Sequence, residues 1–240
     1  MENNTKQIYK ISPVSVIETA RIGKKGIRKV KVSKNLSSRA EFSPFPQELG
    51  TICAEFFCKN STVIFDCFAG WGERHKCCQE NDKTYIGYDI SPEAIEYAKM
   101  KYGVNNILAD SRVDEIPCHD GLITCPPYWN LEKYKGGGLS DNKNWKAFLE
   151  EYETVLKRCG EKCPSGSTYC LIVGDWRKAN IYYSLSFETE RIMNKLGFHT
   201  HDKVIVNQKP ITPYLRMMRN CKRFLYTAKV HQYLLVFKKK

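Results

Sequence analysis

From Gln47 to Lys238 short apolar runs of strand type alternate with helical stretches, and glycine, proline or acidic residues repeatedly stand where a run stops. The runs are Val63–Phe68, Thr84–Tyr88, Asn106–Ala109, Asp120–Thr124, Thr168–Val173, His201–Val206 and Gln232–Lys238. Helical spacing of apolar residues marks Gln47–Phe57, Ala94–Tyr102, Trp145–Leu156 and Phe187–Leu196, and Ser91-Pro92-Glu93 is a helix start with proline at the first helical position. Strands that alternate with helices build a parallel sheet with helices on both faces, because each crossover carries a helix over the sheet. No convincing helix separates the last two strands, so they are expected to pair antiparallel. The predicted fold is α/β, a doubly wound, mostly parallel but mixed seven-stranded sheet with an antiparallel last strand. In such sheets ligands bind at the carboxyl ends of the strands.

At 240 residues the chain is long enough to bury one sizeable core. It holds no apolar run of the roughly 18 residues that a membrane span needs. Met1–Lys10 is polar, without the apolar core of a secretion signal, and the 11 cysteines then read as reduced thiols in a cytoplasmic protein, free or nucleoid-associated. Cys159 and Cys163, or Cys53 and Cys58, lack a matching second pair, so no metal site is expected. Regular patterning starts after Pro46. Residues 1–41 therefore read as a basic N-terminal extension and 42–240 as the catalytic domain.

The net charge of +12 is unevenly placed. Arg21–Arg39 contains Arg21, Lys24, Lys25, Arg28 and further lysines and arginines but no acid. Lys203–Lys240 is also free of Asp and Glu, and carries Arg216, Arg219, Lys222 and Arg223. Two such segments fit a surface that contacts phosphates, although a charge run taken alone is equally a solvated face.

Phe65-Asp66-Cys67-Phe68-Ala69-Gly70-Trp71-Gly72 leaves a strand through two glycines that let the backbone turn and approach a ligand. A dinucleotide fingerprint needs a third glycine where His75 stands, so the ligand is not of that class. Asp89 ends the second strand, where a carboxylate accepts ribose hydroxyls, and Asp110-Ser111 ends the third, where one can accept an adenine amino group. Either Asp could instead cap the helix that follows it. Together the three strand ends favour a nucleoside. The fourth strand ends in Cys125-Pro126-Pro127-Tyr128. Two prolines hold a carbonyl free in a rigid turn, and the next residue is aromatic. That arrangement suits a flat ring bearing an amine, stacked on the aromatic and held through its amino hydrogens.

Cys125-Pro126-Pro127-Tyr128 resembles the hallmark of the amino-methyltransferases of DNA, which is Asp, Asn or Ser followed by Pro-Pro and an aromatic. Asp66–Gly72 resembles the same family's cofactor motif, Ser43-Pro44-Phe45-Pro46 the segment over the methionine end of the cofactor, and His231–Phe237 its closing strand. The resemblance runs from about Ser43 to Lys239. It implies a Rossmann-like class I methyltransferase that uses S-adenosylmethionine, bound by Phe45, Pro46, Asp66, Phe68, Ala69, Gly70, Gly72, Asp89, Ile90, Asp110 and Ser111. Transfer to N6 of adenine or N4 of cytosine in DNA, of restriction–modification type, would then occur at Cys125, Pro126, Pro127 and Tyr128, on a nucleotide swung out of the duplex. RNA is the alternative acceptor, and a non-catalytic nucleic-acid-binding subunit the alternative from another class. Base reading falls to short insertions, Leu131–Lys143 and Lys209–Lys229. Cys125 departs from the pattern, since sulfur accepts hydrogen bonds poorly: either the Pro126 carbonyl does most of the orienting, or activity is reduced, or the target is unusual.

Overall fold

A computed structural model of the protein describes residues 14–19, 45–130, 137–208 and 215–240, apart from the side chains of 208 and 215–217. Ten strands and six α-helices follow in chain order: β1 (Val16–Thr19), α1 (Gln47–Thr51), β2 (Val63–Asp66), α2 (Arg74–Gln79), β3 (Thr84–Asp89), α3 (Pro92–Tyr102), β4 (Ile107–Leu108), β5 (Gly121–Thr124), α4 (Trp145–Glu161), β6 (Thr168–Val173), β7 (Trp176–Lys178), β8 (Ile181–Tyr183), α5 (Leu185–Lys195), β9 (Phe198–Gln208), α6 (Leu215–Phe224) and β10 (His231–Lys239). The main sheet is ordered β1-β9-β10-β6-β5-β2-β3-β4, and β7 and β8 form a separate hairpin. The strands from β4 through β6 are mutually parallel, while β10 runs antiparallel to both β6 and β9.

Alternation along the central strands explains the layering, because successive side chains point to opposite faces. Tyr169, Leu171 and Val173 of β6 join Phe65, Leu122 and Phe237 in a core covered by α4 and α5. Cys170 and Ile172 point the other way and meet Ile64, Ile123 and Val236 under α1 and α2. Each large side chain so buried contributes about 1.5–3 kcal/mol, and the two cores hold the strand ends in one fixed row. Local signals set the helix limits: the Ser91 hydroxyl accepts from Ala94 N at 3.2 Å and Gly103 closes α3 in the left-handed region at φ 68°. Asn144 caps α4 in the same way, accepting from Ala147 N at 2.9 Å.

Two features correct the sequence reading. The sheet has eight strands, not seven, because Val16–Thr19 pairs in parallel with Ile205–Gln208 at its edge. Four residues of the segment read as an extension thus belong to the sheet, held by backbone bonds that carry no sequence signature. A helix, α6, also lies between β9 and β10, where none was expected. Four of its ten residues are Arg or Lys, and that charge obscured the helical spacing. The Gln47–Phe57 helix continues past Thr51 with a π-helical turn over Ile52–Phe57. Among the described residues no helix is long and apolar enough to cross a membrane.

Candidate active site

The carboxyl ends of β2, β3, β4 and β5 meet in one cluster. Asp66, at the end of β2, is fully buried. Its carboxylate accepts from Arg74 Nε at 2.6 Å, from the Tyr85 hydroxyl at 2.9 Å and from the Thr124 hydroxyl at 2.7 Å. The backbone N–H of Phe68 donates to it at 3.3 Å. Arg74, 7% exposed, also donates to the Phe68 carbonyl at 2.5 Å. Burial works against the Arg74 charge, but the Asp66 anion outweighs it and keeps the guanidinium firmly protonated. The sequence reading gave Asp66 to the cofactor. In the structure its acceptors are committed to protein donors, and it shapes the glycine turn from beneath.

Gly70 and Gly72 adopt φ of 53° and 81°. A Cβ on Gly72 would stand 2.7 Å from the Ala98 methyl, whereas one on Gly70 would meet nothing closer than 4.0 Å. Gly72 is therefore required for packing on α3, and Gly70 leaves open space where a ligand can approach the backbone. Asp89 faces this turn. One of its oxygens accepts from Gly70 N at 2.8 Å and the other from Ser91 N at 2.9 Å. Burial raises its pKa, and the two amides partly offset that. Each oxygen keeps a further lone pair, since a carboxylate offers about four acceptor sites. The neighbouring Ile90 lies beneath Gly138, where a Cβ would come within 2.7 Å of its side chain, so the 137–138 backbone folds back over the β3 end.

Asp110 follows β4, and its carboxylate is gripped by Arg112 at 2.7–3.1 Å. Arg112 also pairs with Glu151 of α4 at 2.7 Å and donates to the Gly137 carbonyl at 3.0 Å. Burial raises the Asp110 pKa, but the bonds and charge of Arg112 outweigh it, and the net shift is downward. Ser111 is buried and donates to the Cys67 carbonyl at 3.1 Å, so its side chain belongs to the framework. Phe45 lies with its ring under the Arg74 guanidinium, 5.1 Å from ring centre to Cζ, and its N–H donates to Glu73. Pro46 opens α1 beside it. The chain's Ser43 and Pro44 lie outside the described residues.

Cys125-Pro126-Pro127-Tyr128 leaves β5 directly after Thr124, whose hydroxyl is bonded to Asp66. Cys125 is partly buried. Tyr128 is only 9% exposed, packed edge-on against Trp176 at 5.5 Å, with its hydroxyl accepting from Gln232 Nε2 at 3.2 Å. It fits because Gly174 has no side chain: a Cβ there would be 3.1 Å from the Tyr128 oxygen. An open stacking face at Tyr128, as the sequence reading placed it, is therefore absent in this conformation. Next to it Trp129, Trp145, Trp176 and Tyr183 form a ring cluster with centres 5.2–5.9 Å apart. Sequence reasoning missed Arg74, Arg112 and the β7–β8 hairpin. Only the hairpin had a signal, since Gly174-Asp175-Trp176 is a further glycine–acid pair at a strand end.

Of the phosphate-contact candidates, Arg21, Lys24, Lys25 and Arg28 lie outside the described residues, as does the side chain of Arg216. Arg219, Lys222 and Arg223 stand exposed on α6. The 131–136 part of the loop read as a base-reading insertion is likewise not described. No group of three His, Cys, Asp or Glu able to hold a metal ion occurs among the described residues.

This strand order, with a glycine turn after β2 and β10 antiparallel in an otherwise parallel run, is the Rossmann-like class I methyltransferase fold. No family model and no curated protein matches the sequence. Solved structures do match the fold. TrmN from Thermus thermophilus superposes with a TM-score of 0.50 at 13% identity over 83% of this chain, which spans 55% of TrmN. An O-methyltransferase of a Brevibacillus brevis multienzyme, in complex with S-adenosyl-L-homocysteine, gives 0.52 at 11% identity, covering 80% of this chain and 71% of that one. Magnesium protoporphyrin IX methyltransferase from Synechocystis with bound SAM gives 0.50 at 12%, covering 81% and 79%.

Proposed function

We propose that this chain is an S-adenosylmethionine-dependent methyltransferase that modifies the exocyclic amino group of adenine or cytosine in DNA. The observation that carries the reading is one hydrogen bond: Thr124, the residue before Cys125-Pro126-Pro127-Tyr128, donates to Asp66, the residue that opens the glycine turn, at 2.7 Å. It brings the amine-capturing turn and the nucleoside-type turn to adjoining strand ends. The methyltransferase fold, shared with structures that hold SAM or S-adenosylhomocysteine, supports the cofactor assignment.

The residues present fit that cofactor. Gly70 offers open backbone, and Asp89 keeps lone pairs for two ribose hydroxyls. Asp110 and Arg112 together line the position of a base edge, where the carboxylate can accept an amino hydrogen without releasing Arg112. When bound, the cofactor supplies a methyl group already activated by a sulfonium. The chain's own part is positioning. The Pro126 carbonyl and the Cys125 thiol hold the two amino hydrogens and aim the nitrogen lone pair, and correct aim is itself a large rate factor. Tyr128 acts from its packed position by fixing the turn against Trp176 and Gln232. A base that stacks on it needs the Trp176 contact to open first.

The test is incubation of the protein with labelled cofactor and mixed DNA, followed by mass spectrometry of the nucleosides. N6-methyladenine or N4-methylcytosine is the expected product. Methylation confined to RNA, or to an oxygen acceptor, would overturn the reading. Asp89→Ala should weaken cofactor binding by about 10- to 100-fold, the equivalent of roughly 1.5–3 kcal/mol for hydrogen bonds to a charged group; calorimetry with unchanged affinity removes Asp89 from the site.

A further inference from the structure

Beyond the catalytic turn, cations and rings alternate across two segments distant in sequence. Lys229 Nζ lies 4.5 Å from the centre of the Tyr182 ring. Arg177 Cζ lies 5.1 Å from that ring and 4.5 Å from the Tyr226 ring. Tyr226 stacks on Phe224, with centres 6.2 Å apart and planes within 2°, and Arg223 Cζ is 5.1 Å from Phe224. The row joins the β7–β8 hairpin to the end of α6. Both contributing stretches, 176–187 and 203–240, contain no Asp or Glu. The carboxylate of Asp175, beside the row, accepts from the Tyr182 hydroxyl at 2.9 Å and is taken up further by Ser184 and Ser186. The hairpin is tied to the active site, since Lys178 Nζ donates to the Asn130 carbonyl at 3.0 Å and Trp176 packs on Tyr128.

We propose that this cation–ring ladder is the surface that holds the DNA strand carrying the target base, with its backbone phosphates on Arg177, Lys229 and Arg223 and its bases against Tyr182 and Phe224. The proposal rests on the nucleic-acid reading above and adds the β7–β8 hairpin, which that reading left unassigned, to the basic segment around α6. Rings beneath the cations fix their positions before a ligand arrives, so less side-chain freedom is lost on binding. Tyr182 and Phe224 remain 38% and 42% exposed, so part of each side chain is open to a ligand. Positive charge interleaved with aromatic faces is the combination that binds single strands, because phosphates and bases recur together along them. An acidic peptide would use the charges and leave the rings idle.

The test is fluorescence anisotropy of labelled single-stranded and duplex DNA over a range of salt concentrations, with RNA and polyglutamate as competitors. Arg177→Ala/Lys229→Ala removes two phosphate contacts. The salt slope for single strands should become shallower by about 1.4, which is roughly a tenfold loss of affinity near 0.15 M salt. Lys99→Ala/Lys101→Ala removes the same charge from the exposed end of α3 and should change affinity less than twofold. Phe224→Ala should weaken binding several-fold with an unchanged salt slope, and this exposed position keeps the test open if the double variant fails to fold. Equal losses in the two double variants, competition by polyglutamate as strong as by DNA, or binding of RNA but not DNA would each overturn the ladder. Methylated DNA with an unaltered Arg177→Ala/Lys229→Ala variant sinks the ladder alone. DNA held by the ladder but never methylated sinks the proposed function and leaves the ladder standing.

Discussion

The ends of β2 and β6 solve one problem in two ways. Each has a buried aspartate, Asp66 as the last residue of β2 and Asp175 just past the end of β6. Asp66 is neutralised by a buried arginine and further bonded by Tyr85 and Thr124. Asp175 is held by neutral donors: the Tyr182, Ser184 and Ser186 hydroxyls and the Ser186 N–H donate to it, at the N-terminus of α5, where the helix dipole favours an anion. The first arrangement locks two strand ends and the glycine turn into one unit. The second fastens a short hairpin to a helix through neutral donors, which can exchange for water at lower cost. The β2 end is therefore held by a buried charged unit and the β6 end by neutral bonds.

The largest effect should come from breaking the ion pair. Arg74→Met leaves the Asp66 carboxylate buried without its cation and should cost about 3–5 kcal/mol in urea unfolding. Asp66→Asn/Arg74→Met should recover part of that loss; a double variant no more stable than Arg74→Met would show that the pair is not the unit described. A smaller loss, about 1.5–3 kcal/mol, is expected for Asp175→Asn, and it should appear first as faster amide exchange in β7, β8 and the start of α5. Exchange that rises equally in β2 would erase the distinction between the two ends. The least effect belongs to Tyr128→Phe, which loses the Gln232 bond, about 0.5–1.5 kcal/mol. If opening of the Trp176 contact limits base entry, this variant should methylate DNA at least as fast as the wild type, and single-turnover assays would show it.

Much of the site was legible before the structure because strand ends can be read from periodicity. The glycine turn, Asp89 and Asp110 each follow an apolar run, and the sheet does bring these strand ends together. What each carboxylate binds could not be read that way. The donors to Asp66 come from α2 and from the two strands that flank β2, at sequence separations of 8, 19 and 58. Asp110 is bonded by Arg112, which is itself held by Glu151, at sequence separations of 2 and 39. Tyr128 reads as an open platform in the sequence, and the absent side chain of Gly174, just past the end of β6, leaves room for it to pack inward.

The sequence by itself determined the α/β order, the parallel core of the sheet, its antiparallel last strand and the rank of turns along one edge. Those follow from side-chain periodicity and from what glycine and proline permit, both of which act within a few residues. The tertiary structure alone decided that Val16–Thr19 adds an eighth strand, that Asp66 pairs with Arg74, and that Arg177 lies between Tyr182 and Tyr226. These outcomes depend on hydrogen bonds and ring contacts between segments far apart in the chain, and such partners are chosen only once hydrophobic burial has fixed the distances between them.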